Sequence, residues 1–138
     1  MNMSQQDSQE AVELFLLELK RILTSSSFNV KSDLDILPRK KDEDPLDPYT
    51  TANTLVELEF DKYDIRDQLL SIAVSDYVET IIDDKNSSLP PFFVFCREMQ
   101  GRDVYIKVKI RDRLRGKVFC VSFHFARYRF RRPLPYES

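Results

Sequence analysis

An α+β fold, with an antiparallel β-sheet and helices packed on one face, is what this sequence predicts. Three observations lead there: helical apolar spacing near the N-terminus, two long alternating runs near the C-terminus, and apolar content sufficient for one core. At 138 residues and 42% hydrophobic content, the chain fits a single domain over 1–138. No apolar run approaches the ~20 residues that cross a bilayer. The opening MNMSQQDSQE has no basic stretch followed by an apolar one. The expectation is a cytoplasmic protein with no membrane partner.

The first element expected is a helix over about residues 8–24, where Val12, Phe15, Leu16, Leu19, Ile22 and Leu23 recur at helical spacing. Asp7 and Glu10 form its expected capping pair, and Ser25-Ser26-Ser27 ends this N-terminal region (1–30). Residues 31–50, KSDLDILPRKKDEDPLDPYT, are charged and proline-containing and predict an exposed loop. Residues 51–132 form the expected α+β core, and 133–138 a tail.

Within that core, Leu55–Phe60 alternates as a short strand. Asp61 caps a second helix that buries Ile65, Leu69, Ile72 and Ala73. Asp61, Asp64 and Asp67 invite a metal-site reading, but acidic residues in a first turn complement the helix dipole, which is the preferred one. Asp76 and Glu79 form a further capping box, predicting a short helix through Ile82. DDKNSSLPP is a turn into a strand at Phe92–Met99.

The C-terminal hairpin is expected at about 104–112 and 117–127. Val104, Ile106, Val108 and Ile110 share one face of the first strand, with Tyr105, Lys107, Lys109 and Arg111 on the other. Phe119, Val121, Phe123 and Phe125 form the apolar face of the second, opposite Cys120, Ser122 and His124. A four-residue loop, Arg113–Gly116, sets a register with Asp112 opposite Lys117. Tyr105 then faces His124, Lys107 faces Ser122, and Lys109 faces Cys120. A Tyr, a His and two Lys converge on the side away from the core. The helix at 8–24 and the helix after Asp61 cover the other side.

Several chemistries are excluded by composition. Two glycines make neither a P-loop nor a dinucleotide fingerprint. One histidine and two cysteines do not make a structural zinc site. Cys96 and Cys120 sit in apolar runs, as reduced core cysteines do. The expectation is chemistry without metal or cofactor.

Charge is strongly divided. Residues 1–96 carry 9 Lys/Arg against 19 Asp/Glu, whereas 97–132 carry 12 Lys/Arg against three acids, with a total of −2. A basic segment interleaved with aromatics fits a polyanion partner. The alternative is that the two halves neutralise each other across the fold. Cleaving RNA without metal needs a base for the 2′-hydroxyl, an acid for the leaving oxygen and cations for the phosphorane. His124 can be acid or base. Lys107, Lys109 and Arg127 can supply charge, and Tyr105 can donate a proton or stack. The alternative for His124 is an edge histidine satisfied by backbone or water.

The run VELEFDKYDIRDQLLSIAVSDY from Val56, the strand VYIKVKI (104–110) and FCVSFHFARY (119–128) resemble MqsR-type toxins of the RelE-like ribonuclease superfamily. The resemblance spans about residues 50–128. It implies a RelE/MqsR-like fold, cleavage of single-stranded mRNA and a cognate antitoxin partner. The family's catalytic-face tyrosine matches Tyr105, and the lysine two residues later matches Lys107. A functional lysine after the final V-S-F falls on His124. A second lysine falls on Glu79 and a glutamine near Phe92, which are departures from the pattern. The resulting candidate set is His124, Tyr105 and Lys107 as catalytic residues. Lys109, Arg111, Arg127 and Arg129 are candidates for RNA binding. The competing reading is a non-enzymatic module that binds nucleic acid or protein through the basic face.

Overall fold

In the computed structural model, which describes residues 2–83 and 85–137, Ser8 rather than Asp7 opens the first helix. Ser8 Oγ accepts from the Ala11 N–H, and helix α1 runs over Gln9–Leu23 with Lys20 and Arg21 in its last turn, where they complement the dipole. Asp7 has another task. Its carboxylate accepts from Thr80 Oγ1, its N–H donates to the Tyr77 hydroxyl, and its carbonyl accepts from the Tyr136 hydroxyl. The residue thereby ties together three parts of the chain that are remote in sequence.

The sheet has six strands: β1 Asn2–Gln5, β2 Leu34–Ile36, β3 Tyr77–Asp83, β4 Phe92–Met99, β5 Arg102–Asp112 and β6 Lys117–Phe125. Their spatial order is β1-β3-β4-β5-β6-β2, antiparallel throughout except for the parallel pair of β2 and β6. Helix α1 and helix α4 (Lys62–Ser71) share one core with the sheet face lined by Phe93, Phe95, Ile106, Val108 and Phe123. Val12, Leu16, Leu19, Ile22 and Leu23 are buried there. Phe15, half-buried, stacks on Phe93 with centroids 3.9 Å apart, an arrangement worth about 0.5–1.5 kcal/mol beyond its area. Asp61 caps α4 in a reciprocal box with Asp64, burying Ile65, Leu69 and Ile72, while Ala73 stays exposed. The two cysteines are buried and unpaired.

Four expected elements differ. Residues 31–50 are not wholly loop. A short helix α2 (Val30–Asp33) and strand β2 lie at their start, with Leu34, Asp35 and Ile36 paired to Val118, Phe119 and Cys120. Residues 55–60 are not a strand: 55–58 belong to helix α3 (Thr51–Leu58), which Thr50 caps and Glu59 ends at φ 59°. Its buried face is Thr51 and Thr54, whose hydroxyls accept from the Phe123 and Phe125 N–H groups on the free edge of β6. Apolar periodicity does not report a face built of threonine. Asp76 and Glu79 open no helix. Asp76 caps a 3₁₀ turn (Val74–Asp76) through the Ala73 N–H, and β3 follows. A bulge at Val78 puts Tyr77 and Thr80 on one face three residues apart, which imitates helical spacing. Lastly, the polar N-terminus forms β1 on β3.

The hairpin loop is the expected one. Asp112 pairs with Lys117, the Asp112 carboxylate accepts from the Leu114 and Arg115 N–H groups, and Gly116 takes φ +67°. Register holds at both ends but slips between them. Tyr105 faces His124 and Lys107 faces Ser122, yet Val108 faces Cys120 and Lys109 faces Phe119. Val121 is the extra residue. It reverses the pleat, so Val118 and Cys120 enter the core while Phe119 and Val121 are only partly covered.

Candidate nucleic-acid interface

The sheet face turned away from α1 and α4 carries Glu79 on β3, Phe92 and Cys96 on β4, Tyr105, Lys107 and Lys109 on β5, and Phe119, Ser122 and His124 on β6. Two segments border it. Residues 37–50 lie along the β6 side, where Lys40 Nζ donates to Ser122 Oγ over 3.1 Å. Residues 126–137 cross the β4–β5 side, where Phe130 stacks on Tyr105 and the Arg132 guanidinium reaches Cys96 Sγ.

Tyr105 and His124 are direct cross-strand partners with rings stacked at 5.2 Å and 16°. With Phe130 6.0 Å from Tyr105, the phenol is enclosed between aromatics, and burial pushes it up to about 12. So weak an acid is a poor proton donor, and the stacked ring packs flat against the imidazole. His124 Nδ1 lies 3.0 Å from the Phe125 carbonyl. A carbonyl only accepts, so Nδ1 bears the proton and Nε2 keeps its lone pair. Burial, aided by the positive charge of Lys40, lowers the imidazole below its ordinary value despite the Phe125 carbonyl. That shift favours the neutral form of the ring.

Lys107 is lowered by burial and by Lys40, opposed by Glu79. Lys109 is lowered by burial and by Arg111. Their ammonium groups lie 4.9 and 4.7 Å from the centroid of the Phe92 ring.

No family model, curated protein or solved structure matches this chain.

The arginines behave differently from the lysines. Arg111 pairs with Asp35 at 2.7 Å and lies over Phe119 at 4.1 Å. Arg127 pairs with Asp47 and covers Tyr49 at 4.7 Å. Arg129 is part of a knot around Asp103, whose side chain is 1% exposed. That carboxylate accepts from Arg129 Nη1 (2.9 Å), Arg132 Nη2 (3.0 Å) and the Phe130 N–H (2.8 Å). Burial alone raises the Asp103 carboxyl, but the hydrogen bonds from Arg129 and Phe130, with the charge of Arg132, hold it below the usual range. Arg129 also binds Glu98 and the Gly101 carbonyl. Much of the basic segment is thus matched to acids within the fold. Lys107 and Lys109 are without an ion pair among the described residues.

Asp61, Asp64 and Asp67 serve α4 itself, two as its capping box and the third as a partner of Arg66. Among the described residues, no three His, Cys, Asp or Glu side chains gather where a metal ion can be held. No described helix is long and apolar enough to cross a membrane. Sequence reasoning missed Lys40, Asp103, Phe119 and Phe130. Lys40 had one signal, the basic R-K-K run inside an acidic loop.

Proposed function

We propose that this protein is a metal-independent endoribonuclease of the MqsR type, the toxin of a toxin–antitoxin pair, and that its outer sheet face binds single-stranded mRNA. The observation that carries the reading is His124, whose Nδ1–H is committed to the Phe125 carbonyl while burial and Lys40 lower its imidazole, on the same sheet face as Lys107 of the neighbouring strand. In this mechanism Nε2 takes the 2′-hydroxyl proton and the 2′-oxygen attacks the adjacent phosphorus. The P–O5′ bond breaks as the leaving oxygen takes a proton from Lys107. The products are a 2′,3′-cyclic phosphate and a 5′-hydroxyl. Lys107 and Lys40 offset the charge that builds on the phosphorane. Tyr105 positions the imidazole, and Lys109 binds phosphate. A cognate antitoxin that covers this face is the partner implied by the motif resemblance.

A second reading, a binding module without chemistry, needs only the partly exposed rings of Phe92 and Phe119 and the lysines over Phe92, and no proton transfer. One assay separates the two. Purified protein is incubated with single-stranded RNA in EDTA, and product ends are identified by phosphatase sensitivity. The expected result is cyclic-phosphate ends, with His124→Ala slower by about 10²–10⁴-fold. Wild-type protein that binds RNA and never cuts it, with or without ribosomes, refutes the enzyme and leaves the binding module.

A further inference from the structure

The bulge at Val121 has a chemical consequence beyond register. It turns Phe119 out of the core and brings it beside Phe92, with ring centroids 5.9 Å apart at 61°. Neither ring belongs to the main core, and both are partly exposed. Three cations cover them: Lys107 and Lys109 over Phe92, and Arg111 over Phe119. Arg111 is paired with Asp35 of β2, while the two lysines make no ion pair among the described residues and feel Glu79 and Asp83 only at longer range. Beside Phe92 the surface dips into a small cavity lined by Ile81, Asp83, Leu89, Pro90 and Lys109.

Aromatic rings on a sheet surface flanked by unpaired lysines are what single-stranded nucleic acid uses. Bases stack on the rings without regard to sequence, and the ammonium groups take the phosphates. Paired strands offer no free base face and do not fit. We propose that Phe92 and Phe119 form a base-stacking subsite for the nucleotides that flank the scissile bond, with Lys107 and Lys109 as its phosphate contacts. This rests on the reading of the face as an RNA site. It assigns to Phe92 a binding role where the MqsR pattern has glutamine. In the free protein the lysines rest on the Phe92 ring. When RNA arrives, a base takes the ring face and the lysines move to the backbone. From Tyr105 to Lys109 is four residues of strand, about 13 Å, so the subsite lies along β5 from His124 rather than under it.

The chain has no tryptophan, which makes Phe92→Trp a single-reporter variant. The probe is a 2′-O-methyl oligouridine of about ten nucleotides, which keeps RNA geometry and lacks the nucleophilic hydroxyl. Phe92→Trp is expected to bind at least as tightly as wild type, with saturable quenching of its fluorescence. Phe92→Leu and Phe119→Leu are each expected to weaken binding about tenfold by fluorescence anisotropy. Leu114→Trp, in the fully exposed hairpin loop, is the unquenched control. Photocrosslinking of a 5-bromouridine-substituted probe to wild-type protein, mapped by mass spectrometry, is expected to mark Phe92 or Phe119 and does not depend on any variant folding. Binding without quenching in Phe92→Trp, crosslinks confined to other segments, or no binding at all overturns the subsite. RNA cleavage that survives those outcomes leaves the enzyme reading standing. Platform-dependent binding without cleavage refutes the enzyme and not the subsite.

Discussion

Replacing Thr51 and Thr54 by valine removes two hydroxyls with almost no change of volume. Thr51 Oγ1 accepts from the Phe123 N–H over 3.1 Å and Thr54 Oγ1 from the Phe125 N–H over 3.0 Å. Both threonines are buried, at 3% and 0% exposure, so water cannot replace the lost acceptor. A buried N–H left without a partner costs about 1–3 kcal/mol. Valine and threonine have similar helix propensities, so the change falls on the edge contact rather than on α3 itself. Each single variant should lose about 1–3 kcal/mol and the double about 2–5, a large part of the ~5–15 kcal/mol typical of a domain. The assay is urea unfolding followed by circular dichroism, with the slope checked against wild type so that the midpoint shift reads as stability. Amide exchange at Phe123 and Phe125 should accelerate in parallel. His124 lies between those two amides, so the double variant should also reduce cleavage. If both single variants unfold within about 0.5 kcal/mol of wild type with exchange unchanged, α3 is not seated on β6.

Two other predictions concern the tail and the imidazole. Asp103→Asn keeps shape but removes the charge that holds Arg129 and Arg132. Because those arginines are 55% and 40% exposed and can return to water, the expected loss is about 1–3 kcal/mol, with faster amide exchange over residues 126–136; unchanged exchange at Phe130 would falsify the anchoring role. His124 is lowered in the fold, so the unfolded chain takes up its proton first as pH falls. Its contribution to stability is complete above about 6.5 and is lost as pH falls from there through the lower folded value. The acid limb of the cleavage profile should therefore lie below 6.5. Lys40→Met should move that limb upward by removing a positive charge; an unmoved limb rules out Lys40 as its neighbour.

The hairpin was legible because its alternation is long and apolar on one side, and the four-residue loop fixed both ends of the register. That was enough to place Tyr105 opposite His124 and Lys107 opposite Ser122. The bulge at Val121 was not legible, since Val121 and Cys120 fit a core row equally well by polarity. The outward turn of Phe119 was hidden with it. The bulge at Val78 gave β3 a helical spacing, and the threonine face of α3 showed no apolar pattern at all. For α3 the hydrogen bonds to the Phe123 and Phe125 N–H groups are made across the fold, and a local pattern holds no record of a remote partner.

What the sequence determined by itself is the α+β class, the α1 and α4 faces, and a basic hairpin that puts Tyr105, Lys107, Lys109 and His124 on one side. Those follow from period and polarity, which are local properties. Only the tertiary structure decided which positive charges are matched to an acid. Asp35, Asp47 and Asp103 engage Arg111, Arg127 and Arg129 from elsewhere in the chain, and Lys107 and Lys109 make no ion pair among the described residues. Net charge is a sum over residues, whereas an available charge depends on what lies within about 4 Å of it, and that distance is set by the fold.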